Sequence, residues 1–326
     1  MPPESGWQVT PALQPDPKDY PFDLDAALSA VVSLKATVPE DAFTAGILGT
    51  ERAGCGVLIE RSGLIATVGY LITEAETIWL GLSDGRTVPG HALGYDQTTG
   101  FGLVQALARL DAPALPLGSA RSLSIGDRVV IGGAGGRSRS TAAVIVGRQQ
   151  FAGYWEYLVE DAVFTAPAHP FWGGAAMIGP NGDLCGIASL RLDQSDSEEA
   201  GDDQLNMVVP IDLLPPILDD LRTVGRPRAP ARPWLGVYAV EVEDRVVLAG
   251  LAEDGPAEGA GLAPGDMLIA VDGRPVTTLA EFYAALWGLG EAGVLVPLAL
   301  QRDGETIDVV VRSADRHRLL KTPSLH

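Results

Sequence analysis

Nucleophilic chemistry needs a hydroxyl or thiol, a base to take its proton, and a third group that fixes the base in one tautomer. The 326-residue sequence holds four histidines: His91 in an edge-like strand, His317 and His326 near the C-terminus, and His169. Only His169 lies in a stretch shaped like a site, residues 168–187 (AHPFWGGAAMIGPNGDLCGI), where a small-residue turn precedes the hairpin Asn181–Ile187. Thr165 and Ser189 are the nearest hydroxyls in sequence, and no neighbouring residue is placed to activate them. His169 reads either as a loop histidine or as the base of an unusual site. Glu160 and Asp161 are adjacent in a strand, so their side chains point to opposite faces and make no paired-carboxylate site. Cys55 (AGCGVLI) and Cys185 (GDLCGI) sit in apolar strand contexts without CxxC spacing, which argues against zinc and favours two buried thiols over the alternative of one disulfide. No metal and no cofactor are expected.

These residues must be positioned by a mostly β chain. Residues 23–37 (DLDAALSAVVSLKAT) predict a short helix running into a strand, with Asp23 or Asp25 as its cap. From residue 44 onward, short Val-, Ile- and Leu-rich segments alternate with turn signals about every 8–12 residues, as in barrels and sandwiches. Asp193–Asp203 (DQSDSEEAGDD) reads as a solvated loop. Residues 211–222 look helical, with Pro215-Pro216 at the start or at a kink. Residues 223–233 (TVGRPRAPARP) form a Pro- and Arg-rich linker and the best domain boundary. The predicted organisation is a Pro-rich arm over 1–22, a barrel domain over 23–222, the linker 223–233, a second domain over 234–313, and a flexible tail over 314–326. Trp7, Tyr20 and Phe22 make the arm either a loose leader or a segment that docks by its rings.

Four ordered motifs resemble the HtrA (DegP-like) family. Cys55–Ile59 followed by Gly63–Thr67 resembles GSGVII…GYVVTNNHVV; Leu82–Arg86 followed by Gly94-Tyr95-Asp96 resembles LSDGR…GxD. Leu117-Gly118-Ser119 to Val130-Ile131-Gly132 resembles LGDSxxLxxGDxVxAIG, and Phe171–Met177 with Asn181–Ile187 resembles GNSGGAL followed by NGELIGI. The resemblance covers nearly the whole of residues 30–313 and implies a trypsin-like double β-barrel followed by a PDZ domain, a small α+β antiparallel barrel.

Carried across position by position, the resemblance puts the family's histidine on Tyr70, its aspartate on Gly100 and its serine on Gly173. It puts Phe171, after Pro170, on the glycine that turns an oxyanion-binding amide toward substrate, and bulky residues disfavour the positive φ such a turn uses. The expectation is therefore a proteolytically inactive, non-enzymatic member. Tyr70, Phe101, Phe171 and Trp172, with Tyr154 and Trp155 upstream, predict an aromatic site. It is either plugged, or a cleft of Tyr70, His169, Phe171 and Trp172 that takes a ligand.

Residues 234–313 resemble a PDZ domain. Trp234-Leu235-Gly236-Val237 is similar to the WLGV carboxylate-binding loop, and residues 255–275 (GPAEGAGLAPGDMLIAVDGRP) to the core signature GSPAxxAGLxxGDxIxxVNGxP. A peptide C-terminus would add as a strand beside Gly236–Val240. Its last side chain would enter a pocket lined by Leu235, Val237, Phe282 and Leu286.

The formal net charge of −19 argues against nucleic acid, which needs clustered Lys and Arg. No apolar run approaches the ~18 residues of a membrane span. The Pro-rich N-terminus lacks a basic and an apolar region, so no secretory signal is expected and the chain is read as cytoplasmic, or periplasmic if a signal has been removed. The combined expectation is a polypeptide-binding adaptor, scaffold, chaperone or assembly factor. The alternatives are an enzyme with unusual residues and a regulatory subunit of an active homologue. Family resemblance adds a possible homotrimer or an assembly with that homologue.

Overall fold

The computed structural model describes residues 7–193 and 204–321. The acidic run beyond Asp193 and His326 lie outside the described residues. The chain divides into two compact units. The first comprises residues 1–149, 161–227 and 321–326; the second comprises 150–160 and 228–320.

The first unit contains two closed six-stranded antiparallel barrels. Strands β1 (Val31–Thr37), β2 (Glu51–Glu60), β3 (Leu64–Val68), β4 (Thr77–Gly81), β5 (Thr87–Tyr95) and β6 (Phe101–Ala106) close in the order β1-β2-β3-β6-β5-β4. Strands β7 (Arg128–Gly132), β8 (Thr141–Gly153), β9 (Tyr157–Ala166), β10 (Ala176–Ile178), β11 (Leu184–Asp193) and β12 (Gln204–Pro210) close as β10-β11-β12-β9-β8-β7. Closure leaves no unpaired edge. Burial follows sequence: β3 (LIATV) is buried along its whole length, whereas β4 (TIWLG) alternates out and in.

Helix α1 (Leu24–Ser29) starts where expected, because the Asp23 carboxylate accepts the Ala26 N–H at 3.0 Å. A short α2 (Ala45–Leu48) precedes β2. The helix expected over 211–222 is broken: 3-10 turns at Ile211–Leu213 and Pro215–Ile217 precede α3 (Leu218–Thr223). Pro215 and Pro216 cannot donate backbone hydrogen bonds, so a continuous helix cannot form through them.

The second unit is a sheet ordered β13 (Val237–Glu241), β14 (Val246–Leu251), β15 (Met267–Val271), β17 (Leu295–Arg302), β18 (Glu305–Arg312), with β16 (Arg274–Pro275) paired to β15. It carries α4 (Pro256–Gly259) and α5 (Leu279–Trp287). Thr278 and Glu281 form a reciprocal capping box at the start of α5. The inner face of α5, Phe282, Tyr283 and Leu286, packs on Leu235, Val237 and Leu248.

Two boundaries differ from expectation. Residues 150–160, read as barrel domain, group with the second unit because Ala152 and Leu158 pack on its core and Glu156 bonds its first loop. The tail expected to be flexible is folded through residue 321. Trp234 and Ala314 exchange backbone hydrogen bonds of 3.1 and 2.9 Å, and Asp315 caps a 3-10 turn at Arg316–Leu319.

Candidate functional site

The first candidate lies where the two barrels of the first unit meet. Tyr70 sits in the 3-10 turn Gly69–Leu71 that ends β3. Buried Arg52 pins this turn, donating to the carbonyls of Tyr70 and Thr73, both at 2.9 Å. The Tyr70 hydroxyl donates to the Ser189 carbonyl at 2.8 Å, and burial pushes its pKa up, with the Trp172 contact offsetting part of the rise. It is no acid or nucleophile near neutrality.

Gly100 closes the turn between β5 and β6. The Asp96 carboxylate accepts the N–H groups of Thr98 and Thr99, and Gly100 adopts φ 82°. Its carbonyl accepts from Gly69 N–H at 2.7 Å, which ties it to the Tyr70 turn. Glycine is favoured there because any Cβ disfavours the left-handed conformation. At Gly173 the reason is space. Its carbonyl accepts from Cys55 N–H at 2.8 Å, and a Cβ would lie 2.8 Å from the Tyr70 hydroxyl oxygen. The amides of Gly174 and Ala175 donate inward, to the carbonyls of Ala188 and Trp172. Phe171 is not among the residues with positive φ.

His169 is buried and fully engaged. Its Nδ1 accepts the Phe171 N–H at 3.1 Å, so Nε2 carries the proton and donates to the Arg139 carbonyl at 2.8 Å. Asn206 of β12 accepts the His169 N–H at 2.6 Å and donates to its carbonyl at 3.2 Å. Burial lowers the imidazole pKa and keeps it neutral. Trp7 of the N-terminal arm stands edge-on to Phe171 and His169, at centroid distances of 4.5 and 5.8 Å. Phe22 packs against Gly182, so two of the arm's rings dock on the body. Arg191 covers Trp172, its guanidinium carbon 5.0 Å from the ring centroid. Tyr70, Trp172 and Gly173 are thus brought together, while His169 and Phe171 join Trp7. The other aromatics go elsewhere: Phe101 is fully buried in the first barrel, and Tyr154 and Trp155 belong to the second unit.

The second candidate is the groove of the second unit. Trp234, Leu235, Gly236 and Val237 form the loop that enters β13, with Leu235 and Val237 buried and Phe282 and Leu286 beneath them. The loop's amides converge on one point, and a carboxylate occupies it. Glu156 accepts the N–H groups of Leu235, Gly236 and Val237 at 3.1, 2.7 and 3.1 Å. The Ala239 N–H donates to the Tyr154 carbonyl at 2.9 Å. Tyr283 of α5 accepts the Glu156 N–H at 3.2 Å and donates to the Gly153 carbonyl at 2.7 Å. Burial raises the Glu156 carboxyl to a pKa of about 7 against the pull of the three amides and of Arg316. The sequence signal for this residue is slight, a single acid among aromatics at a hairpin tip (GYWEY).

The sequence matches the model of a trypsin-like peptidase domain over residues 54–187 and of a PDZ domain over 233–312. It is 26% identical over 294 residues to a probable periplasmic serine endoprotease DegP-like of Pseudomonas fulva, an alignment covering 84% of this chain and 60% of that protein. It is 26% identical over 282 residues to serine endoprotease DegS of Escherichia coli, covering 79% of this chain and 75% of that protein. Among solved structures, the HtrA-type protease AlgW with a decapeptide matches 93% of this chain and 100% of its own at a TM-score of 0.53 and 20% identity, a likeness of fold. A trypsin-like peptidase domain followed by a PDZ domain defines the class. In domain content and order the chain resembles the HtrA-like family.

That finding corrects one expectation. The chain was expected not to be an enzyme, but its relatives are named serine endoproteases and its barrels match a peptidase domain. Tyr70, Gly100 and Gly173 are therefore no ground for removing it from that class. The Pseudomonas relative is named periplasmic, in line with the periplasmic alternative, and the cytoplasmic expectation gains no support. Among the described residues, no helix is long and apolar enough to cross a membrane.

Proposed function

We propose that this HtrA-like protein recognises polypeptide C-termini in the groove of its second unit. One observation carries the reading: three consecutive amides of the Leu235–Val237 loop converge on a carboxylate at 2.7–3.1 Å. A polypeptide C-terminus presents the same group. The edge of β13 then takes an added strand, and the apolar residues under the loop favour an apolar last side chain. AlgW, a structural neighbour, was solved with a decapeptide, which agrees with this use of the fold. The barrel unit supplies the peptidase framework, and the PDZ unit chooses the polypeptide. The test is selection by the full chain from a peptide library presented with free and with amidated C-termini. Enrichment of apolar last residues in the free set alone supports the reading; equal retention of both sets sinks it.

A second reading, cleavage of the captured polypeptide, is favoured by the relatives' names. Casein turnover by repurified full chain that disappears in Gly173→Trp would place the chemistry at the junction of the barrels. Absence of turnover at micromolar protein over a day would remove this reading.

A further inference from the structure

An external peptide needs two things from a PDZ groove: amides for its carboxylate and a strand edge for its backbone. Both are already in use. Glu156 holds the amides of Leu235, Gly236 and Val237. The Tyr154 carbonyl takes the Ala239 amide, on the edge of β13 not paired with β14. Glu156 and Tyr154 have one residue between them, Trp155, the spacing of a peptide's last residue and the one two before it. Tyr283 clamps the segment from the helix side through Gly153 and the Glu156 amide. We propose that the hairpin tip Gly153–Glu156 is an internal ligand of the PDZ groove, and that a polypeptide C-terminus binds there only by displacing it. The inference rests on the peptide-binding reading of this groove.

The tip has the marks of a displaceable occupant. Glu156 holds φ 57°, a left-handed conformation that a glutamate adopts at a cost. Its carboxylate is buried at the loop, and burial of a charge is repaid only by its bonds. Those bonds are available without loss to any other carboxylate, because a peptide C-terminus accepts the same three N–H groups. Tyr154 leaves nearly half its surface exposed, so it anchors little. Tyr157, one residue beyond the tip, is buried and can keep the hairpin stem in place when the tip leaves. An intramolecular competitor has an effective concentration of millimolar order or above, so it weakens every external ligand by a constant factor.

The test uses the full chain at pH 7.5 and a fluorescein-labelled decapeptide ending Ala-Tyr-Trp-Leu with a free carboxylate, beside its amidated twin. The Tyr-Trp pair copies the tip, and the leucine suits the apolar residues under the loop. Glu156→Gly removes the carboxylate and suits the left-handed backbone, so it is expected to fold; Glu156→Ala is the second variant. Fluorescence anisotropy is expected to show both variants binding the free-carboxylate probe at least tenfold tighter than the wild type, and none binding the amide. Hydrogen exchange supplies an independent readout. The amides of Leu235, Gly236 and Val237 should be protected in the wild type, exposed in Glu156→Gly, and protected again when the probe saturates that variant. Equal probe affinity in wild type and variants overturns the internal ligand while leaving peptide recognition standing, and fast exchange of the three wild-type amides overturns it as well. If the probe binds neither the wild type nor either variant, peptide recognition fails and the proposal falls with it.

Discussion

At residue scale, Glu156 is caught between burial, which favours its neutral form, and three amides with Arg316, which favour its charged form. Burial is the larger, and the carboxyl sits at about 7 against an ordinary 4.5. The other titratable groups facing it are Tyr283 of α5 and Tyr238 of β13. A group with a raised pKa in the docked state binds its proton more tightly there. Docking is then most favoured below about 4.5, and that advantage is lost as pH rises through about 7. The peptide's own carboxyl, near 3.5 when free, meets the same burial once bound, and Glu156→Gln reports that part alone. Relative to Glu156→Gln, wild-type affinity for the free-carboxylate probe should therefore rise between pH 5 and 8, by up to roughly a hundredfold. A fall in affinity over that range would mean the amides outweigh burial. At Gly173, a Cβ meets the Tyr70 hydroxyl oxygen at 2.8 Å. Gly173→Ala should cost about 1–3 kcal/mol in denaturant unfolding. Adding Tyr70→Phe removes the clashing atom and leaves the Ser189 carbonyl without that donor, a loss of only about 1 kcal/mol. The two substitutions should therefore couple favourably. Strict additivity would show that the backbone at 173 moves aside instead.

At element scale, strands and caps were legible because they obey local rules. Asp23 caps α1 as read, and the mostly apolar LIATV becomes a buried strand. The helix over 211–222 was misjudged in continuity, because two prolines outweigh the surrounding helix formers. Less legible was the hairpin of β8 and β9. Its strands belong to the second barrel, but its tip, 150–160, bonds a loop some eighty residues further along. No local pattern announces a pairing whose partner is three backbone amides, since every residue carries one. The same blindness applies to His169, whose two roles could not be separated without seeing Arg139, Phe171 and Asn206 around it. That network lets β12 hold the loop before Gly173. Asn206→Ala leaves the buried His169 N–H and carbonyl without these partners and should cost about 1–3 kcal/mol. It should also weaken the docking of Trp7, seen as a red-shifted tryptophan emission. An unchanged midpoint and emission would show that water replaces the amide.

At the scale of the molecule, 42 acidic against 23 basic residues set a field that neither unit escapes. Exposed ion pairs such as Arg86–Asp84 contribute little against it and are weakened further by salt. A net charge of −19 should draw basic polypeptides toward the surface and slow acidic ones. Two probes with the same last four residues, one led by lysines and one by glutamates, separate this long-range effect from the groove's own contacts. At low salt the lysine probe should associate with Glu156→Gly roughly tenfold faster, and the difference should shrink toward unity by about 0.5 M salt. In the wild type the internal ligand adds a second limit. If the tip must leave first, the observed association rate reaches a ceiling as probe concentration rises, and that ceiling is the opening rate of the hairpin. Opening precedes encounter, so the ceiling should be the same for both probes although the approach to it differs with charge. A charge-dependent ceiling would mean that the probe binds before the tip departs and helps to expel it.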